Sequence, residues 1–338
     1  MFFRKVTTFT IVLICLFFLL VPDFVKAAVP NSAASHGQRW IMAVGICKFA
    51  DTRIPQLKYC VDDARAIARY FEKDNVAKDH ITVLLNEDAS RDAIINSLQK
   101  MAVKIGKDDS FFFFYSSHGA GDDSDTTYFI TFDTNREDFA STALPMQGLK
   151  DMIKKIKCYN IVMMIDTCHS GGVKSLGRQD EKAFSKLVRI ADKETRIAIL
   201  TSSRTHESSM EAERWSHGAF TYYMLDGLTG NADNFPPDGR VSVTELFDYV
   251  MIAVPRATNR SQHPSAKFSY NWPGEKDQAV KVGKTIRNYD NPGSAPQRTG
   301  SQNSGPMTVY GNHNWRNGKS KKKNPPIDQQ KKWHNVIE

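Results

Sequence analysis

The chain has 338 residues, of which 41% are hydrophobic and 24% charged. That is enough apolar material for one large or two small cores, and its five cysteines are too few for a disulfide-dense scaffold. The formal net charge of +8 is unevenly placed. Residues 274–338 carry twelve Lys or Arg against five Asp or Glu, so the remainder is nearly neutral and a basic nucleic-acid-binding fold is excluded as its source.

The first 28 residues read as a secretory signal peptide. Arg4 and Lys5 precede an apolar run, Phe9 to Val21, and small residues follow at Ala27 and Ala28. The run is shorter than the ~20 residues that a membrane span requires, so cleavage is expected rather than an uncleaved anchor. No other run is long enough to cross a bilayer. The expected product is secreted or periplasmic and keeps no membrane span. Cys15 leaves with the signal, and Cys47, Cys60, Cys158 and Cys168 remain. On that route a disulfide is a competing explanation for each, and their spacing fits no zinc pattern.

Strands and helices then alternate. "WIMAVGI" (40–46) suits a strand buried on both faces, and "VDDARAIARYF" (61–71) has helical spacing with two acids in its first turn. "HITVLL" (80–85) predicts a strand, "ASRDAIINSLQKMAVKI" (89–105) a helix capped by Ser90, and "SFFFFY" (110–115) a third buried strand. "TYFITF" (127–132) reads as an edge strand, "MQGLKDMIKKI" (146–156) as a helix, and "NIVMMID" (160–166) and "RIAILTSS" (196–203) as the fourth and fifth main strands. Helices follow at 218–228 and 242–254, the second with a Ser242–Glu245 capping-box spacing. The pattern predicts an α/β fold, a three-layer sandwich whose mostly parallel central sheet has helices on both faces. The polar segment 171–195 reads as an exposed loop, and the Asn-, Gly-, Pro-, Ser- and Lys-rich residues 274–338 as a disordered basic tail. Solvation is the plain role for that tail; contact with an acidic surface is the sharper one.

In such a sheet, ligands bind beyond the carboxyl ends of the strands. The third strand runs into Ser116-Ser117-His118-Gly119 and the fourth into Asp166-Thr167-Cys168, which places a histidine and a cysteine just past two strand ends. A histidine near a thiol can take its proton and later protonate a leaving amine. The small residues beside each group let backbone N–H groups approach a developing oxyanion. Singly, His118 could be a satisfied buried histidine and Cys168 an inert core thiol. Jointly placed, they form a candidate pair for acyl transfer. His169 is the weaker candidate for the base.

"FFFFYSSHGAG" and "IVMMIDTCHSGGV" resemble the two catalytic blocks of caspase-like cysteine peptidases, particularly metacaspases and their bacterial relatives. "MAVGICKFADTRIPQLKYCVDDARAIARYF" is similar to that family's opening strand and helix, and "GAFTYYMLDGLTGNAD" and "DGRVSVTELFDYV" to its smaller carboxyl-terminal half. The resemblance implies a caspase–hemoglobinase fold over 38–273, divided into a large-subunit-like part (38–177), an exposed loop (178–195) and a small-subunit-like part (196–273). It implies a cysteine endopeptidase with Cys168 as nucleophile and His118 as base, and with backbone N–H groups of Gly119 and Cys168 at the oxyanion.

Asp166 stands where caspases proper carry a neutral glutamine, and Asp63 stands where metacaspases place a pocket acid. Carboxylates in a partly desolvated pocket select Arg or Lys. The expected substrates are therefore proteins or peptides cut after Arg or Lys, with Asp63, Asp166, Cys60 and Ser116 lining the pocket. The plain alternative for Asp63 is dipole and cap work at a helix start. The chain is expected to cut its own 171–195 loop after Lys174, Arg178, Lys182 or Lys186. Many metacaspases bind calcium, but Phe129 stands at one expected ligand position and the paired acids expected near 144–149 are missing. Asp122, Asp123 and Asp125 read as a solvated turn. "NADNFPPDGRVSVTEL" reads as a turn and helix cap, because Pro236 stands where an EF-hand ligand would be. No cofactor or metal is expected. The alternatives of a different kind are a non-catalytic interaction module that uses the basic tail, and a peptidase whose Cys168 is capped by Cys47 or Cys60 under oxidation.

Overall fold

The computed structural model describes residues 37–121, 126–168, 195–204, 207–234, 237–269, 272 and 280–286, with Cys168 described at its backbone only. The signal segment, residues 122–125, most of the 171–195 loop, Pro236, and residues 273–279 and 287–338 lie outside these residues. Within the expected disordered tail 274–338, however, Lys281–Lys284 form a strand, and Val280 and Val282 are buried in the core, because apolar residues alternate there.

The core is a sheet of five parallel strands in the order β2 (Ile81–Leu85), β1 (Arg39–Gly45), β3 (Ser110–Gly121), β6 (Asn160–Cys168) and β7 (Arg196–Thr201). A short antiparallel strand, β11 (Ser265–Phe268), closes the β7 edge. The five parallel strands grow outward from β1, first to β2 and then back across β1 through β3, β6 and β7. The order therefore reverses between β1 and β3, the place where such sheets bind ligands. The loop leaving β1 folds over the end of β3, Ile46 N–H bonding the Ser116 carbonyl at 3.0 Å and Ala50 N–H that of Phe132 at 2.9 Å.

Strand alternation separates two cores. Met42, Val44, Phe111, Phe113, Tyr115, Met163 and Ile165 lie on one face, against helices α2 (Arg91–Lys104) and α3 (Met146–Ile153). Ile41, Ala43, Phe112, Phe114, Val162 and Met164 lie on the other. They meet α1 (Cys60–Lys73), α4 (Ala219–Asp226) and α5 (Val243–Ala257). The four phenylalanines of β3 are fully buried, each contributing ~1.5–3 kcal/mol of hydrophobic stabilisation. This is the three-layer sandwich the pattern predicted, and it explains why "SFFFFY" shows no polar face.

Both predicted caps form. Ser90 Oγ accepts from Ala93 N–H at 3.2 Å. Ser242 Oγ accepts from Glu245 N–H at 3.1 Å, while the Glu245 carboxylate accepts from Ser242 N–H at 2.8 Å.

The element ends differ in informative ways. His118 and Cys168 lie within β3 and β6 rather than past them, because β3 goes on to pair antiparallel with β4 (Thr127–Phe129) and β6 stays in register with it. The predicted helix over 218–228 is α-helical only to Asp226. It then widens into a turn, Gly227–Asn231, in which Gly230 has φ +122°. Helix α5 runs past the expected stop at Val254 and contains Pro255 in its last turn. Among the described residues, four small pairings carried no sequence signal: β5 (Leu144–Pro145) on β4, β11 on β7, β10 (Arg240–Ser242) with β12 (Lys281–Lys284), and β8 (Glu211–Ala212) with β9 (His217–Gly218). Strands of two to four residues are too short for alternation to register.

Among the described residues, no helix is long and apolar enough to cross a membrane. The EF-hand-like stretch is held by protein donors. Asp233 Oδ1 and Oδ2 accept from the Asp238 and Gly239 N–H groups, both at 2.9 Å, and Lys281 Nζ lies 2.8 Å from Asp238 Oδ2. The Lys281 ammonium thus pairs with Asp238, and Ser242 caps the helix that follows.

Candidate active site

His118 and Cys168 occupy the last paired register position of β3 and β6, with their Cα atoms opposite one another. Cα atoms so paired on neighbouring strands lie ~5 Å apart. The His118 side chain is 1% exposed. Its ring stacks on Phe49, with centroids 5.3 Å apart and planes 19° apart, and Nε2 lies 2.7 Å from the Pro55 carbonyl oxygen. A carbonyl can only accept, so Nε2 carries a proton and donates it. In the neutral ring Nδ1 is then the basic nitrogen. Phe49 and Pro55 both belong to the loop leaving β1, which folds over the end of β3 at the order reversal. Gly119 follows in β3, opposite Phe129 of β4.

The four pocket candidates are buried: Asp63 at 1%, and Asp166, Cys60 and Ser116 at 2% each. Three of them converge. Asp63 Oδ2 accepts from Ser116 Oγ at 3.1 Å, and Asp63 Oδ1 accepts from Gly218 N–H at 3.2 Å. Asp166 Oδ1 accepts from Ser209 Oγ at 2.5 Å and Oδ2 from Thr221 Oγ1 at 2.8 Å. Gln262 Nε2 donates to Ser209 Oγ at 3.3 Å and so orients that hydroxyl toward Asp166.

Gly218 ties the two acids together. A Cβ built on it would lie 2.7 Å from Asp166 Oδ2 and 3.4 Å from Asp63 Oδ2. Only a glycine fits against both carboxylates here, because any side chain would collide with Asp166. Burial is the main cause pushing both acids above the usual carboxylate range, Asp63 to about 7. Their proximity adds to the effect on Asp63. Shifts in this direction mark buried acids whose desolvation outweighs the donors around them.

Asp63 does lie in the first turn of α1. Its three partners on other elements, Ser116, His217 and Gly218, go beyond the cap work proposed as its plain alternative.

Cys60 opens α1 and packs against Cys47. The contact with Cys60 is the largest cause holding the Cys47 thiol below its ordinary value, and Val61 N–H adds a bond to Cys47 Sγ at 3.2 Å. Gly45 permits this junction, because a Cβ there would lie 2.3 Å from the Cys60 carbonyl oxygen. Among the described residues, Cys47, Cys60 and Cys158 form no disulfide.

Sequence reasoning missed His217, Ser209, Thr221 and Pro55. His217 is fully buried, and its Nδ1 lies 2.7 Å from Asp63 Oδ1. A His-Gly pair directly before an apolar helix was visible, but nothing local links it to an acid 154 residues earlier. Pro55 acts through a backbone carbonyl, which no residue type advertises.

The caspase-domain family of peptidases matches residues 38–271. No curated protein matches the chain. Among solved structures, the crystal structure of a Geobacter sulfurreducens protein is similar, with 18% identity and a TM-score of 0.50, over 69% of this chain and 93% of that one. At that identity the likeness concerns the fold alone.

Proposed function

This chain belongs to the caspase-domain family, a peptidase family, and from that premise we propose that it is a cysteine endopeptidase of metacaspase type that cleaves after Arg or Lys. The observation that carries the specificity is the pair of buried carboxylates around Gly218, next to the strand ends that hold His118 and Cys168.

In this reading the thiol of Cys168 loses its proton to Nδ1 of His118 and attacks the scissile carbonyl. Pro55 accepts the other ring proton, which fixes both tautomer and ring orientation. The imidazolium then protonates the leaving amine, and water releases the acyl group by the same route in reverse. Backbone N–H groups of Gly119 and Cys168 serve the oxyanion. Asp63 and Asp166 receive the guanidinium or ammonium of the residue before the scissile bond by charge-assisted hydrogen bonds, with Ser116 and Cys60 beside them. Every step is proton transfer and acyl transfer among these groups.

The reading includes secretion after removal of residues 1–28, and self-cleavage in the 171–195 loop, whose Lys and Arg content matches the specificity.

A fluorogenic peptide panel with Arg, Lys or Asp before the scissile bond tests the specificity. Turnover is expected after Arg and Lys and not after Asp; turnover after Asp alone would remove the pocket argument. On a denaturing gel, purified wild type is expected to nick within the loop while Cys168→Ala stays intact. Identical single bands would refute self-cleavage.

A further inference from the structure

Two buried carboxylates pack against Gly218, and each already has its donors. Asp166 is held by Ser209 and Thr221. Asp63 is held by Ser116, by Gly218 N–H and by His217. Of these donors, only His217 can change its own charge. Its ring is fully buried, Nδ1 is bound to Asp63, and Nε2 has no partner among the described residues. An unpaired buried polar atom costs ~1–3 kcal/mol. If Asp63 needed only a neutral donor, a serine hydroxyl would supply it without a second ring nitrogen to satisfy. Histidine adds the ability to share a proton.

The other titratable and charged groups near this pair are few. From α1 comes Asp63 itself, with Cys60 in the same turn; from β6 comes Asp166, across Gly218; from the loop leaving β1 comes Cys47. Glu211 of β8 lies opposite Gly218 in the β8–β9 pair, but its carboxylate accepts from the Lys58 and Tyr59 N–H groups. Among the described groups, no Lys or Arg is bonded to Asp63 or Asp166. Among the described groups the site therefore holds two buried acids with no fixed cation, and a proton is the counter-charge available.

We propose that His217 is a positioning residue through which the pocket exchanges a proton for substrate: the His217–Asp63 pair holds a proton while the pocket is empty and releases it to solvent when a cationic side chain binds. This rests on the Arg/Lys reading of the site and adds to it a linkage between binding and pH. The charge balances, since one positive charge enters the pocket as one leaves. The proton belongs to the pair, and its division between imidazole and carboxylate does not change the count.

Burial puts the Asp63 carboxyl at about 7, and its bond to His217 opposes that rise. The pocket is thus mainly protonated below that pH and mainly open above it. KM for Arg peptides is expected to climb as pH falls below about 7, while kcat follows the catalytic pair. Removing the imidazole removes an influence that lowers the Asp63 value, so the KM transition moves to higher pH. A residue that only held the fold together would not move a KM transition while leaving kcat in place.

The test is calorimetric titration of full-length Cys168→Ala with an Arg-terminated peptide, in buffers of different ionisation enthalpy. About one proton is expected to leave per peptide bound on the acid side of the transition, falling toward none two units above it. In parallel, KM and kcat are followed against pH for wild type and His217→Gln, which keeps a donor but cannot titrate. The expected result is a KM transition displaced upward by about one unit with kcat retained. Binding with no proton release on the acid side, or superimposable KM curves, would overturn the linkage and leave the Arg/Lys reading standing. If His217→Gln fails to fold, the Cys168→Ala calorimetry decides alone. A protein that cleaves only after Asp would overturn both.

Discussion

His118→Ala is expected to lower kcat on an Arg peptide by about 10²–10⁴-fold with KM little changed, and Cys168→Ala to abolish covalent turnover. The two effects should not add: the double variant is expected to be no worse than Cys168→Ala, because base and nucleophile act as one unit. The size for His118 follows from its setting. The ring is held by Phe49 on one face and by the Pro55 carbonyl at Nε2, so its proton-accepting nitrogen is chosen before substrate arrives. The stabilities of the two single variants, followed by thermal melting, are expected to differ. Deleting the imidazole leaves the Pro55 carbonyl without its donor and opens a gap beside Phe49, a loss of ~1–3 kcal/mol. Unchanged kcat in His118→Ala would remove it from the mechanism.

The second large effect is expected at the acids. Asp166→Asn should cut kcat/KM for Arg peptides by about 10²–10³-fold, the size expected when one partner of a buried charge pair is removed. It also leaves Ser209 and Thr221 facing an amide rather than a carboxylate. Asp63→Asn should cut kcat/KM similarly, and its stability signature separates binding from folding. A carboxyl whose folded-state value is raised to about 7 is harder to ionise in the folded chain than in the unfolded one. Folding therefore loses stability as pH rises from the unfolded value of ~4, and the loss levels off above the folded value. Asp63→Asn removes this slope, so at neutral pH its melting temperature should hold while its activity on Arg peptides collapses. A large drop in both would assign Asp63 to structure rather than to substrate. Full activity in Asp166→Asn would remove that acid from the pocket.

The parallel sheet was legible because its strands are buried on both faces and read as uninterrupted apolar runs. Ser90 and Ser242 were legible because capping is local chemistry. The register of His118 with Cys168 was only half legible. Their placement near strand ends followed from the pattern, but their presence within the strands depends on β4 pairing with the end of β3, a contact made after a turn. The convergence of Asp63 with Ser116 and Asp166 spans three elements; it was reached through the resemblance and not through spacing. His217 was invisible for a related reason. Its partner is an acid on α1, and only the fold of β9 back against that helix brings them together. The small antiparallel pairs were missed because two to four residues cannot show a period.

The most direct measurement is covalent labelling of the full-length protein with a peptidyl acyloxymethyl ketone ending in Arg, read by peptide mass spectrometry, alongside the same probe ending in Asp. The account predicts that the Arg probe modifies Cys168, that His118→Ala slows the labelling, and that the Asp probe leaves Cys168 untouched. Labelling of Cys47 or Cys60 in place of Cys168, or preference for the Asp probe, would contradict it.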